Sequence, residues 1–190
     1  MEVKKAHVRF NYQDYCLLPE GKRYEIIDGE IYVVPAPSFE HQDFLGNLYF
    51  LLRSFVRGNN LGVVVVAPFD VILSEEDVVQ PDLVFISRDR LDIITGRGCE
   101  GPPDLVVEIL SPGTAHRDRD LKRKLYARYG VQEYWLIGPD THTIEVLALE
   151  GEDFRRIALV GEGDVLSSEV LSGLKLRVEE VFQATYQPRR

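Results

Sequence analysis

The sequence of 190 residues is 45% hydrophobic and 28% charged, which is enough for one complete hydrophobic core and too little for two. We therefore predict one domain over residues 1–190. The formal net charge of -9 argues against a protein that coats nucleic acid nonspecifically, because such binding depends on clustered Lys and Arg. It does not exclude a protein that gathers carboxylates around a cation, and residues 117–128 could still supply a local basic patch.

The amino-terminal segment MEVKKAHVRFNYQDY has no apolar run after its lysines, and a run of about 18 apolar residues occurs nowhere in the chain. A signal peptide and a membrane span are therefore not expected, and we predict a cytoplasmic protein that does not associate with membranes. Cys16 and Cys99 lie far apart in the sequence and lack CxxC spacing. This spacing favours two reduced thiols over a disulfide or a zinc site.

The first predicted elements are a β-hairpin and a long helix. Asp28 and Gly29 separate two β-rich runs in RYEIIDGEIYVV, which is the composition of a two-residue type I′ turn. Ser38 is a suitable helix cap, and apolar residues then recur at helical spacing as far as Gly58. The apolar runs GVVVVAPFDVIL and QPDLVFI, separated by an acidic turn at residues 74–77, are typical of neighbouring strands.

The second half of the chain alternates strands with one helix. PPDLVVEIL predicts a buried strand, RDRDLKRKLYARY a helix that ends at Gly130, and EYWLI another buried strand. The runs TIEVLAL, FRRIALV and LKLRVEEVF indicate further strands and a short tail segment. The order of elements predicts an α/β (α+β) fold in which a mixed β-sheet is flanked by helices.

Glu108 interrupts the run LVVEIL, which has apolar residues on both faces and therefore predicts a covered central strand. A buried carboxylate is costly or becomes protonated unless a metal ion, a cationic side chain or N–H donors face it. A functional Glu108 and an edge-facing or salt-bridged Glu108 both fit this pattern, so the run by itself leaves the choice open.

Two Pro-Asp pairs open predicted strands, although the bare dipeptide is a weak signal. Asp104 lies four residues before Glu108 on the same strand, which is about 13 Å and too far for both carboxylates to bind one ion. Asp82 opens a different strand, where this limit does not apply. We therefore expect Asp82, and not Asp104, to share a site with Glu108.

The helix predicted after residue 116 places two charged residues among its apolar ones. At about 100° per residue, one arc of roughly 140° contains Asp118, Leu121, Lys122, Leu125, Tyr126 and Tyr129. Outside this arc, on the side expected to be solvated, lie Arg117, Asp120, Arg123, Lys124 and Arg128. Lys122 is therefore a candidate functional residue. The alternatives are a lysine that extends its amine to solvent and an i,i+4 ion pair with Asp118.

Three segments of the sequence resemble the Uma-two group of putative restriction endonucleases, within the PD-(D/E)XK nuclease superfamily. They are YEIIDGEIYVVPAPSFEHQ, VVQPDLVFIS and PPDLVVEILSPGTAHRDRDLKRKLYARYGVQEYWLI. The resemblance spans most of the chain. It implies a restriction-endonuclease-like mixed β-sheet flanked by helices, with an amino-terminal β-hairpin.

The resemblance also implies roles for five residues. Asp82 and Glu108 would be the carboxylates that bind Mg²⁺ or Mn²⁺, and Lys122 would be the catalytic lysine. Glu25 and His41 would complete or border the pocket. Considered without the resemblance, Glu25 and His41 are ordinary residues of a hairpin and a helix start.

The sequence departs from the pattern at two positions. In the usual superfamily motif a lysine follows the second acid by two residues, where this chain has Leu110. Family members present the lysine from the following helix, which is where Lys122 lies. Relatives often have an acid after the YWLI strand, where this chain has Gly138, so that role is absent or moved to Asp140.

The activity implied by the resemblance is metal-dependent endonucleolytic hydrolysis of phosphodiester bonds, in DNA. The ion would polarise the phosphodiester and lower the pKa of a bound water, and the lysine would orient the water or stabilise charge. The turn at residues 111–114 could offer N–H groups to phosphate or be merely structural.

The net negative charge and the displaced lysine also fit an inactive nuclease-fold protein that binds nucleic acid or a protein partner. A small-molecule hydrolase is a third alternative. A homodimer is plausible because cutting two strands requires two sites.

Overall fold

The computed structural model describes residues 8–184 and 186, so the lysines of the amino-terminal segment, within residues 1–7, lie outside the described residues. No helix in the described part of the chain is long and apolar enough to cross a membrane. The strands are β1 (Arg23–Ile27), β2 (Glu30–Val34), β3 (Gly62–Val66), β4 (Val71–Ser74), β5 (Asp77–Val79), β6 (Leu83–Ser87), β7 (Ile94–Thr95), β8 (Gly98–Glu100), β9 (Leu105–Ile109), β10 (Glu133–Gly138), β11 (Thr143–Glu150), β12 (Asp153–Val160), β13 (Val165–Leu166) and β14 (Leu176–Arg177).

The helical segments are fewer and most of them are short. They are α1 (Tyr12–Cys16), α2 (Phe39–Gly58), a 3₁₀ helix (Arg88–Ile93), a π-helical turn (Arg117–Lys122) that continues directly into α3 (Arg123–Tyr129), and α4 (Val178–Phe182).

The first sheet, here called the hairpin sheet, has the order β2-β1-β5-β4-β8-β7 among the described residues. β1 and β2 pair antiparallel, with Ile27 opposite Glu30. The two turn residues, Asp28 and Gly29, have φ values of 51° and 75°, as a type I′ turn requires. The predicted hairpin is confirmed.

The second sheet, here called the main sheet, has the order β12-β11-β10-β9-β6-β3 in the described chain. β9 lies inside it, parallel to β10 and antiparallel to β6, and every residue of β9 is buried. One face of the sheet packs against α2 and α4, and the other packs against α3 and strands of the hairpin sheet. Glu108 therefore lies in a covered central strand, as the sequence predicts.

Helix α2 has the predicted bounds. The Ser38 hydroxyl accepts a hydrogen bond from the N–H of His41 at 3.2 Å, which caps the helix. The apolar side chains that face the main sheet follow helical spacing, and the helix ends at Gly58. This helix places His41 on its first turn, in contact with Asp82, which precedes β6.

The run GVVVVAPFDVIL does not form one strand, contrary to expectation. β3 ends at Val66 and β4 begins at Val71 in the other sheet, because Pro68 lacks the N–H that a continuous ladder needs. The acidic turn joins β4 to β5 within the hairpin sheet, whereas β6 pairs with β3 in the main sheet. The α+β class, the mixed sheet and the flanking helices are confirmed, with the strands divided between two sheets. The prediction of one domain stays a prediction.

Candidate active site

A cavity of about 350 Å³ lies where the two sheets approach the π-helical turn. Glu25 reaches it from β1, His41 from α2 and Glu108 from β9, while Asp82 immediately precedes β6 and Lys122 ends the π-helical turn. The structure therefore brings together on one cavity wall all five residues singled out in the sequence.

The amine of Lys122 lies among carboxylates. Its Nζ atom is 2.7 Å from Glu25 Oε1, 2.9 Å from Glu108 Oε1 and 3.7 Å from Asp118 Oδ1, and the residue is 4% exposed. Burial favours a lower pKa for Lys122, but these three carboxylates raise its pKa above the ordinary value. The prediction of an inward lysine is confirmed, and the alternative in which its amine extends to solvent is wrong.

Glu108 is salt-bridged and also faces the cavity. Its Oε1 atom accepts hydrogen bonds from the Lys122 amine at 2.9 Å and from the Tyr126 hydroxyl at 2.8 Å. Burial raises the pKa of Glu108 well above its ordinary value, and neighbouring carboxylates raise it further, while Lys122 acts in the opposite direction. Both hydrogen bonds are accepted by Oε1 of Glu108, and neither involves its Oε2 atom.

Asp82 is held beside Glu108 by the backbone. Its Oδ2 atom accepts a hydrogen bond from the N–H of Ile109 at 2.8 Å and lies 3.1 Å from His41 Nε2. Because an ionised carboxylate can only accept, Nε2 is the donor in that contact. His41 Nδ1 is buried and has no hydrogen-bond partner in the part of the chain that the structure describes.

The cavity therefore concentrates negative charge. Four carboxylates surround Lys122 or line the same wall: Glu25, Asp82, Glu108 and Asp118. Burial raises the pKa of Asp118, as it does that of Glu108. Within residues 8–184 and 186, no group of three or more His, Cys, Asp or Glu residues is arranged to hold a metal ion.

Asp104 lies at the other end of β9 and is not part of the cavity wall. Its Oδ2 atom accepts from the N–H of Ser87 at 2.7 Å, and its Oδ1 atom accepts from Arg90 at 2.9 Å. These contacts tie the start of β9 to the end of β6. The two Pro-Asp pairs thus have different surroundings, as the spacing to Glu108 predicts.

Arg117 lies on the cavity wall with its side chain 20% exposed, so its predicted place on a solvated face is wrong. The prediction assumed 100° per residue, whereas residues 117–122 form a π-helical turn with hydrogen bonds between residues five apart. Nothing in the local sequence indicates this change of helix type. The wall also includes residues 111–114 and Asp140, while the transfer of the missing acid's role to Asp140 stays a prediction.

The family model of Uma2, described as "Putative restriction endonuclease", matches residues 11–179. No curated protein matches the chain. The crystal structure of "a putative nuclease belonging to DUF820" from Anabaena variabilis matches with a TM-score of 0.76 and 21% identity, over 92% of this chain and 98% of that chain. This likeness shows a shared fold. Because the family model spans most of the sequence, the chain belongs to the Uma2 family.

Proposed function

We propose that this protein is a metal-dependent endonuclease that hydrolyses phosphodiester bonds, in DNA. The observation that carries the proposal is the convergence of Asp82, Glu108 and Lys122 on one cavity from three separate segments of the chain. The family to which the chain belongs supports a nuclease function and a nucleic-acid partner. A homodimer would place two such sites on one duplex.

Asp82 and Glu108 would hold the Mg²⁺ or Mn²⁺ ion. Each uses one oxygen in the hydrogen bonds described above, Oδ2 in Asp82 and Oε1 in Glu108. Mg²⁺ usually binds one or two carboxylates and completes its shell with water and substrate phosphate oxygens, so a pair of carboxylates is a suitable donor set. When bound, the ion would polarise the phosphodiester and lower the pKa of a bound water.

Lys122 would act as a fixed positive charge. Its pKa is raised, and its three N–H donors face three carboxylates, so the amine stays protonated and does not serve as a general base. In this arrangement Lys122 orients Glu108 and stabilises negative charge that develops on the phosphate. Of the two roles expected from the sequence, this favours charge stabilisation over orientation of a water.

Glu25 and His41 would position the residues that act directly. Glu25 Oε1 accepts from the Lys122 amine and, at 3.0 Å, from the N–H of Gln80, which fixes the lysine beside Glu108. His41 donates to Asp82 from its Nε2 atom and holds that carboxylate in place. Both residues thus support the site without a direct part in bond cleavage.

A second candidate function is an inactive nuclease-fold protein that binds nucleic acid or a protein partner. It is favoured by two observations in the described residues: the Lys122 amine is committed to carboxylates, and no three-ligand metal cluster is present. A cleavage assay on plasmid, single-stranded DNA and RNA separates the candidates. The nuclease requires cleavage with Mg²⁺ or Mn²⁺ and none with EDTA. Salt-dependent binding without cleavage favours the inactive protein, and inertness toward every nucleic acid favours a small-molecule hydrolase.

Added Mn²⁺ is expected to raise the Tm of the wild-type protein. A ligand that binds only the folded state stabilises it by RT ln(1 + [L]/Kd), about 2.7 kcal/mol at a hundred times Kd. Relief of repulsion among the crowded carboxylates contributes to this affinity. Thermal unfolding with Mn²⁺, Mg²⁺ and EDTA measures the shift, and Asp82→Ala should erase it. A wild-type Tm that ignores both metals, together with destabilised Asp82→Ala and Glu108→Ala proteins, would contradict a metal site.

A further inference from the structure

Arg117 lines the cavity, and its guanidinium makes an ion pair and a ring contact with other described residues but no close hydrogen bond. Its ion pair with Glu25 is 3.7 Å long, which exceeds hydrogen-bond length. Its Cζ atom lies 4.5 Å from the centre of the Tyr32 ring, so that the ring supports the planar group. Among residues 8–184 and 186, we find no hydrogen bond that the Arg117 side chain donates.

The other cations on the cavity wall are already engaged. The Lys122 amine contacts three carboxylates. Arg23 donates from Nε to the Gln80 side chain at 2.9 Å and from Nη2 to the Gln80 carbonyl at 3.2 Å. Arg117 therefore has the most N–H donors to offer to an anion that enters the cavity, since a guanidinium carries five.

The remaining arginines of residues 117–128 do not line the cavity and pair with acids outside it. Arg119 contacts Glu145 at 2.9 Å, and Arg128 contacts Asp28 at 2.8 Å. Arg123 contacts Asp153 at 3.2 Å. The basic patch expected here from the sequence is therefore largely neutralised, and Arg117 is the arginine of the patch that lines the cavity.

The π-helical turn explains how Arg117 reaches the same cavity as Lys122. Five residues separate them in sequence, which corresponds to about 140° around an α-helix and would put them on different faces. Hydrogen bonds between residues five apart in a π-helical turn bring such positions closer together. The unusual helix type thus places a second cation beside the carboxylates.

We propose that Arg117 binds the backbone phosphate of the nucleic acid beside Asp82 and Glu108. This inference rests on the proposed nuclease function. A phosphodiester that approaches four carboxylates meets like charge, and a guanidinium with unused donors offsets that repulsion. Its planar fork also matches two phosphate oxygens at once. Arg117 is therefore a substrate-binding residue, whereas Lys122 is held by the protein's own carboxylates.

The test compares the full-length wild type with Arg117→Gln and with Arg119→Gln, a matched control on the same turn whose partner Glu145 lies outside the cavity. Binding of a fluorescein-labelled single-stranded oligodeoxynucleotide is measured by anisotropy in EDTA over a range of salt concentrations. Arg117→Gln should weaken binding about tenfold, as expected for a hydrogen-bonded charged group, and should lower the salt slope by about one. Arg119→Gln should bind within about twofold of wild type, like most surface substitutions.

Three further readouts keep the result interpretable. Arg117→Gln should keep the Mn²⁺-induced rise in Tm, which shows an intact cavity, and should lower the rate of Mn²⁺-dependent cleavage about tenfold at subsaturating substrate. If Arg117→Gln does not fold, Arg117→Lys replaces it and should bind with intermediate affinity, because it keeps the charge and loses the fork. Equal binding by Arg117→Gln and wild type, or an equal loss in Arg119→Gln, overturns the inference.

The wild-type control distinguishes this inference from the proposed function. A wild type that binds the oligonucleotide but does not cleave it would contradict the nuclease, and an Arg117→Gln defect in binding would still support the phosphate contact. A wild type that neither binds nor cleaves would contradict both.

Discussion

The Glu108→Gln protein is expected to lose metal-dependent cleavage almost completely. The substitution removes the negative charge of a carboxylate that we propose to bind the metal ion. It keeps the size of the side chain and a hydrogen-bond acceptor for Lys122 and Tyr126. A bound metal supplies several kcal/mol of transition-state stabilisation, and a loss of about 4 kcal/mol corresponds to roughly a thousandfold in rate. Initial rates of plasmid cleavage in Mn²⁺ measure the effect. Activity within a few fold of wild type would remove Glu108 from the site.

The same variant should fold at least as well as the metal-free wild type, because the Lys122 amine keeps Glu25 and Asp118 as partners. The folded-state pKa of Glu108 is raised by burial, so ionised Glu108 destabilises the folded state. The contribution of Glu108 to the free energy of unfolding is therefore fully present at low pH and is lost as the pH rises through its folded-state pKa. Gln does not titrate, so the variant has no such loss. Urea unfolding in EDTA should therefore show a higher free energy of unfolding for Glu108→Gln than for wild type, and this difference should grow with pH. A variant that is less stable at every pH would contradict this and would also explain a loss of activity by misfolding.

The Lys122→Met protein is expected to be strongly destabilised. Met fills a similar volume, but it leaves Glu25, Glu108 and Asp118 buried without their shared cation. Removing one partner of a buried ion pair costs about 3 to 5 kcal/mol, and protonation of a carboxylate recovers part of this cost. Urea unfolding at neutral pH measures the change. Cleavage should be lost as well.

Two variants test the electrostatic origin of that loss. Lys124→Met removes an exposed charge from α3 and should change stability by about 0.5 kcal/mol or less. The double variant Lys122→Met/Glu108→Gln has one buried charge fewer and should be more stable than Lys122→Met. If Lys122→Met unfolds at the same urea concentration as wild type, the buried carboxylates do not depend on the lysine.

Much of the candidate site could be predicted from local sequence, and the reasons differ between residues. Glu108 is recognisable because a carboxylate in an apolar strand must have a partner, and Lys122 because it falls in the apolar arc of a helix. Glu25 and His41 carry no such signal, since each is one polar residue on an ordinary amphipathic element. Their place in the site could be expected only from the resemblance to a family.

Other features depend on tertiary structure and could not be inferred locally. The N–H of Ile109 that fixes Asp82 belongs to a strand paired across the sheet, so the contact exists only after β6 and β9 align. The position of Arg117 depends on the π-helical turn, which a helical wheel does not anticipate. The division between the two sheets is different, because it has a local signal in the missing N–H of Pro68, which the apolar, β-branched residues on both sides obscured.

The pair Asp82→Asn and Asp104→Asn tests the central claim most directly. Both substitutions remove one carboxylate charge from a Pro-Asp pair at the opening of a strand, and only the Asp82 pair adjoins the cavity among the described residues. The measurement is the initial rate of DNA cleavage in Mn²⁺ for both variants beside wild type. We expect Asp104→Asn to cleave within a few fold of wild type and Asp82→Asn to be inactive. A loss in Asp104→Asn as severe as in Asp82→Asn, or full activity in Asp82→Asn, would contradict the assignment of the site.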